Sequence, residues 1–258
     1  MTNHRVVVVT GGSSGIGLAT ARLFTEQAAD IVIVGRDPDR LDAARADLEA
    51  ATLATATLAT AVVTPIAADL SRLAGVEKLV EHLDNRFGRV DVLFANAGTS
   101  DAPPILETTE HDFDQMINTN VKSVFFTIAR ALPLMPPGGS VIVTSSVAEA
   151  KGRPGDPLYA ASKAAVRSLV RTLALDDAVL ARGVRVNAVT PGTIATPLTA
   201  QSDPAMQEAI DAYVTSTVPL ARWGTTEDVA HAVVFLADPK AGYITGTEIV
   251  VDGGLSQT

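Results

Sequence analysis

The sequence contains no cysteine, which removes disulfides and thiolate metal ligands from consideration. Four histidines, His4, His82, His111 and His231, are scattered without ligand spacing, so no metal site is expected. Lys/Arg runs are also missing: 29 acidic against 20 basic residues leave a net charge of −9 and a pI near 4.9. That balance opposes a nucleic-acid role, since phosphate backbones are bound by clustered basic surface. No uninterrupted apolar stretch approaches the roughly 18 residues that a membrane-crossing helix needs. The first apolar run, residues 6–9 behind Met1 to Arg5, is too short for a secretory core and leads into glycine turns instead of a cleavage site. No signal peptide, no membrane contact and a cytoplasmic location are therefore expected.

What is present is a chain of 258 residues, 47% hydrophobic and 19% charged, enough to bury one substantial core. Short β-branched runs recur at residues 6–9, 31–34, 61–63, 90–95, 141–144, 184–189 and 248–251, and helical patterns separate most of them. Continuous Val/Ile runs without alternation mark strands covered on both faces, joined by right-handed crossovers. The expected fold is α/β: a single domain with a Rossmann-type doubly wound parallel β-sheet flanked by helices on both faces. Ligands of such sheets bind beyond the carboxyl ends of the strands, where Gly11, Gly35, Asp69, Asn96, Ser146 and Pro191 all fall. Residues 50–61 (AATLATATLATA) are low in complexity and read as a helix extension or surface loop without binding chemistry. Between Leu198 and Trp223 the strand rhythm lapses, with Pro204 and Pro219 and an amphipathic piece from Met206 to Val214. This segment is expected to be a substrate lid.

Thr10-Gly11-Gly12-Ser13-Ser14-Gly15-Ile16-Gly17 follows the first apolar run. Gly11 permits the sharp turn out of the strand, Gly15 lets backbone approach a pyrophosphate, and Gly17 lets the next helix pack closely. That helix, starting near Gly15, aims free N–H groups and its positive dipole end at phosphate, although the spacing departs from the usual G-x-G-x-x-G. The second strand ends Val34-Gly35-Arg36, where a dinucleotide fold normally carries a carboxylate for the ribose hydroxyls. A guanidinium suits a 2′-phosphate better, so Arg36 favours NADP(H), with NAD(H) as the alternative and Asp37 as an opposing charge.

Tyr159 and Lys163 are four residues apart and share one helix face. Reduction of a ketone delivers hydride to carbon and needs a proton for the developing alkoxide; the reverse needs a base for the alcohol. A tyrosine does both once an ammonium ion stabilises its phenolate and lowers its pKa from the ordinary value of about 10. Lys163 is placed to do that while reaching the cofactor ribose. Ser146, at a strand end, can hydrogen-bond the substrate oxygen and stabilise its charge.

These residues, in order and at matching intervals, resemble the short-chain dehydrogenases/reductases of the short single-domain branch. The resemblance covers nearly the whole chain: the TGGSSGIG turn, Asp69, Asn96-Ala97-Gly98, Asn120 in Asn118-Thr119-Asn120-Val121, Ser145-Ser146, the Tyr159/Lys163 pair, Pro191-Gly192 with Thr196, and the ending from Gly246 to Gly254. It implies a catalytic set of Asn120, Ser146, Tyr159 and Lys163. Ser146 is chosen over Ser145 because it precedes Tyr159 by thirteen residues, and Asn120 is expected to hold a water linking Lys163 to solvent. The implied cofactor contacts are Gly11, Ser13, Ser14, Gly15, Ile16, Gly17, Arg36, Asp69, Leu70, Asn96, Ala97, Gly98, Tyr159, Lys163, Pro191, Gly192, Ile194 and Thr196. Within that set Asp69 is read as a helix cap, an adenine contact or both, Asn96 to Gly98 as bordering the adenosine ribose, and Pro191 to Thr196 as contacting the nicotinamide carboxamide. Where the family often has glycine three places after the serine, this chain has Glu149, which faces either substrate or solvent.

The apolar surface of the helix from Leu158 to Leu175 is too wide for one sheet, and in the resembling family this helix builds a dimer interface. A homotetramer is expected, with a homodimer next. The expected activity is hydride transfer between NADP(H) and the carbonyl or alcohol carbon of a small or medium-sized organic substrate. An NAD-dependent alcohol or polyol dehydrogenase is the alternative, and a nucleotide-binding sensor without turnover is disfavoured by the intact proton-transfer residues.

Overall fold

A computed structural model of the chain describes residues 4–54, 62–101, 103–152, 155–200 and 202–257. Seven strands, β1 (Val6–Thr10), β2 (Asp30–Gly35), β3 (Val63–Ala67), β4 (Val92–Ala95), β5 (Ser140–Thr144), β6 (Arg185–Pro191) and β7 (Glu248–Val251), form one parallel sheet in the order β3-β2-β1-β4-β5-β6-β7. Helices α1 (Gly15–Thr25) and α2 (Pro38–Ala54) follow β1 and β2, and α3 (Leu73–Phe87) follows β3. Beyond β4 run α4 (Glu110–Ile117), a π-helical turn Asn118–Lys122 and α5 (Ser123–Ala131); α6 (Pro157–Leu173) and the short α7 (Asp177–Leu180) follow β5. After β6 come α8 (Pro204–Thr217) and α9 (Thr226–Ala237).

The alternation of side chains along each strand divides the apolar residues between two faces. Val8, Val32, Leu93 and Val141 pack with Leu79, Ile128 and Val170 on one face. Val7, Val9, Ile33 and Ile142 pack with Phe24, Leu48 and Val233 on the other. Because both faces are covered by helices, β1 is buried at every position and reads as an unbroken valine run. The chain leaves β1 toward β2 on one side, and its second half begins at β4 on the other. The cleft opens at this reversal, beyond the carboxyl ends.

The two edge strands depart from the expectation of runs covered on both faces. The third begins at Val63 rather than near residue 61 and runs through Pro65. As a sheet edge it has only β2 as a partner, so a residue without an N–H is tolerated there and no continuous apolar run is needed. At the other edge β7 is only partly covered, and Val250 is exposed. Of the Ala/Thr-rich stretch, residues 50–54 extend α2, whereas 55–61 lie outside the described residues.

Candidate active site

At the phosphate end, Gly11 and Gly15 have positive φ angles of 66° and 55° and carry the chain from β1 into α1. A Cβ on Gly17 would collide with the carbonyl oxygen of Gly11 and lie 2.9 Å from Asn96 Nδ2, so only glycine lets α1 seat this closely. Ser14, at the N-cap position, makes no side-chain cap, and the first turn holds no acidic residue. The N–H groups and positive end of α1 are thus left available to an anion in the cleft. Thr10 Oγ1 accepts from Asn96 N at 2.9 Å and Ala97 N at 3.0 Å, and Thr144 Oγ1 donates to Asn96 Oδ1 at 3.0 Å. Asn96 therefore ties together β1, β4 and β5 beneath the turn.

At the adenosine end, Arg36 and Arg40 stand on the same wall with Asp69, Leu70 and Ser71. Arg40 was not singled out in the sequence; the signal was its position four residues beyond Arg36, on the first turn of α2. Asp37 Oδ1 accepts from Asp39 N at 3.0 Å and Arg40 N at 3.2 Å, so its carboxylate is engaged in starting α2. Asp69 accepts from the Ser71 hydroxyl at 2.7 Å and the Ser71 amide at 3.1 Å. Since α3 starts at Leu73, Asp69 closes a turn ahead of the helix instead of capping its first residues. The Ser71 hydroxyl bond is the main cause holding its carboxyl below the ordinary value, against the opposing effect of burial, with Arg36 and Arg72 adding to the lowering.

Lys163 and Tyr159 project from α6 into the same cleft, with Lys163 Nζ 5.7 Å from the centre of the Tyr159 ring. Lys163 is 5% exposed and donates to the carbonyl of Thr144 at 2.9 Å. Burial pushes its ammonium down to about 8. A Cβ at Gly98 would sit 3.2 Å from Asn120 Oδ1 and 3.5 Å from Lys163 Nζ, so glycine leaves room for the lysine. The two serines after β5 differ. Ser145 Oγ is turned inward and donates to the carbonyl of Lys163 at 3.3 Å, whereas Ser146 Oγ accepts from Ala148 N at 3.2 Å as the cap of a single 3-10 turn, Val147–Glu149. That arrangement leaves the Ser146 proton for an oxygen in the cleft.

Asn120 is buried in the π-helical turn and does not line the cleft. Its amide accepts from Thr99 N at 2.8 Å and donates to Thr99 O at 2.8 Å and Ser162 Oγ at 3.0 Å. The side chain thus fastens the loop after β4 to α6 next to Lys163. Gly17 also lies beneath the cleft wall, and every other expected site residue borders the cleft, whose volume is about 690 Å³. Thr99, Thr119, Ser123, Thr144, Pro197 and Thr199 line it as well, without any pattern in the sequence to mark them. Leu198 borders it at the start of the segment expected to cover the substrate. Glu149 does not. Burial, followed by the charge of Glu248, raises its carboxyl above the ordinary value, and Arg171 and Arg167 oppose that rise. Among the described residues no group of three His, Cys, Asp or Glu side chains is placed to hold a metal, and no helix is long and apolar enough to cross a membrane.

Residues 11–256 match the family model described as enoyl-(acyl carrier protein) reductase. The chain is 35% identical to the 3-oxoacyl-[acyl-carrier-protein] reductase of Thermotoga maritima over 97% of each chain. Among solved structures it is similar to levodione reductase, with 34% identity, a TM-score of 0.89 and 98% of each chain covered. It is also similar to a short-chain dehydrogenase from Burkholderia cenocepacia in complex with NADP, with 31% identity, a TM-score of 0.87 and 98% of each chain covered.

Proposed function

Because the chain belongs to the short-chain dehydrogenase/reductase family, we propose that it transfers hydride between NADP(H) and the carbonyl or alcohol carbon of a small or medium-sized organic substrate, with Tyr159 as general acid and base. The observation that carries this reading is the convergence of Ser146, Tyr159 and Lys163 in one cleft with the uncapped start of α1. The residues fit a dinucleotide: N–H groups and a helix dipole for the pyrophosphate, a lysine within the cleft for the ribose, and two guanidiniums at the far end. When bound, the nicotinamide supplies or accepts the hydride.

Ser146 donates a hydrogen bond to the substrate oxygen and orients it toward Tyr159. In the reductive direction the Tyr159 hydroxyl delivers its proton to the oxygen as negative charge develops there; in the oxidative direction the phenolate takes the proton from the alcohol. Lys163 is mostly protonated at neutral pH even after its downward shift, so its positive charge favours the phenolate. Asn120 holds the loop and helix that place Lys163. Tyr159→Phe is expected to bind NADPH with unchanged affinity, read by nicotinamide fluorescence, while turnover falls by roughly 10²–10⁴-fold, the range for a lost general acid or base. Turnover retained by that variant on a panel of carbonyls and alcohols would refute the assignment.

Two arginines and an engaged Asp37 support NADP(H) over NAD(H). The family relationship brings an expectation of oligomers, and the homotetramer is our reading of this chain. Phe125 on α5 and the small residues Ala161 and Ala165 on α6 are exposed side chains suited to close helix packing, and Val250 at the β7 edge offers a second contact. Light scattering across a range of concentrations tests the assembly, and a monomer throughout would reject it.

A further inference from the structure

Residues 252–257 touch the loop after β6, the chain beyond α8 and the turn that follows Ser146, without lining the cleft. The amide of Gly192 donates to the carbonyl of Val251 at 2.9 Å, and a Cβ on Gly192 would lie 2.7 Å from that of Asp252, so this end is pressed against the loop after β6. Asp252 then fixes the next residues by accepting from Gly254 N at 2.8 Å and Ser256 N at 2.7 Å. Leu220 N donates to Gly253 O at 3.1 Å, joining them to the chain beyond α8. The side chain of Leu255, 5% exposed, forms a small core of its own with Val214 and Val218; Ile210, Trp223 and Val147 pack around it. Val147 is the residue directly after Ser146. Two residues beyond that 3-10 turn, Lys151 Nζ donates to the carbonyl of Leu255 at 2.6 Å.

Leu255 is therefore an apolar bridge between α8 and the turn that holds Ser146. This core is separate from the two that pack the sheet, so α8 and the serine turn share one small apolar cluster outside them. We propose that Leu255 is a positioning residue: through Val214 and Val218 on one side and Val147 on the other, it makes the placement of α8 over the substrate and the placement of the Ser146 hydroxyl a single event. The proposal rests on the reading of residues 198–223 as a substrate cover and of Ser146 as a substrate contact. Side chains packed in one small cluster behave as a coupled unit, and substitutions within it are expected to be non-additive.

The test compares Leu255→Ala, Leu255→Met and Val214→Ala in the full chain, with saturating NADPH and the best carbonyl from a panel. Leu255→Ala should raise KM about 10-fold and lower kcat about 10-fold while the NADPH titration stays within 2-fold of the parent. Leu255→Met, which keeps volume and apolarity, should restore most of both. The double variant Leu255→Ala/Val214→Ala should cost little more in kcat/KM than the worse single variant. Hydrogen exchange provides a readout independent of turnover: Leu255→Ala should accelerate exchange in residues 204–217 and 147–151 together, leaving β1 and α1 unchanged. Unaltered KM and kcat in folded Leu255→Ala, fully additive effects, or faster exchange in only one of the two segments would overturn the proposal. If the parent shows no turnover on any substrate, the proposed function fails, and joint or separate acceleration of exchange still decides the coupling. If Leu255→Ala does not fold, Leu255→Val carries the same comparison.

Discussion

The turn from β1 into α1 lines the cleft, the segment leading into α8 meets it at Leu198 and Thr199, and the two are built in opposite ways. In the turn the determinants are backbone: glycines at positive φ, a Gly17 with no room for a Cβ, and N–H groups without caps. Around α8 they are side chains. Leu198, Met206, Tyr213 and Leu220 are exposed, and Val214 is the fully buried residue of the helix. A ligand whose pyrophosphate is always the same can be met by fixed backbone, which tolerates almost no substitution. Side chains on an element with a small core of its own can be exchanged without disturbing the sheet.

The comparison breaks first at Gly17. Gly17→Ala should drive α1 off Gly11 and Asn96, weakening NADPH binding by at least about 100-fold or preventing folding, as read by fluorescence titration and thermal melts. Binding within 5-fold of the parent would show that the turn is not backbone-limited.

Lys163→Met should abolish turnover but stabilise the apoprotein. Burial takes the ammonium from 10.5 to about 8, so between these values the unfolded chain holds a proton that the folded chain has released. Stability of the parent apoprotein therefore rises with pH across that window, and below about 8 the folded state bears the full penalty, of the order of 3 kcal/mol. Removing the amine relieves it at the cost of the bond to Thr144. A net gain of about 1–2 kcal/mol at pH 7 is expected in urea melts, shrinking as the parent gains stability toward pH 10. A loss of stability at pH 7 would contradict this.

Arg36→Asp should shift the ratio of NADPH to NADH affinity by about 10- to 100-fold toward NADH, and Arg40→Ala should shift it by about 10-fold. An unchanged ratio in both would remove the argument from the adenosine end. The smallest effect is expected from Met206→Ala on the exposed face of α8: stability within about 0.5 kcal/mol of the parent, NADPH binding unchanged, and only KM for the organic substrate altered. A change in NADPH affinity would show that the two borders are not independent.

Much of this was legible because it depends on local physics. The valine runs of β1 and β2, the glycine turn, and the four-residue interval between Tyr159 and Lys163 each follow from the geometry of a buried strand, a tight turn or a helix face. The third strand starts later than the apolar run at 61–63 suggests, because an edge strand with a proline lacks the continuous apolar signal. The π-helical turn at Asn118–Lys122 was not legible, since Asn120 is fastened to Thr99 and to Ser162, 21 and 42 residues away in sequence.

The sequence by itself determined the doubly wound sheet, the edge at which its cleft lies and the placing of Tyr159 and Lys163 on one helix face, because apolar runs, glycine turns and a four-residue interval encode all three. Only the tertiary structure decided that Ser145 Oγ turns inward to the carbonyl of Lys163 while Ser146 Oγ caps the 3-10 turn, that Arg40 shares a wall with Arg36, that Glu149 does not line the cleft, and that Leu255 clusters with Val214, Val218 and Val147. These outcomes depend on contacts between elements remote in the chain, where packing and hydrogen-bond closure, not local spacing, set which group faces which.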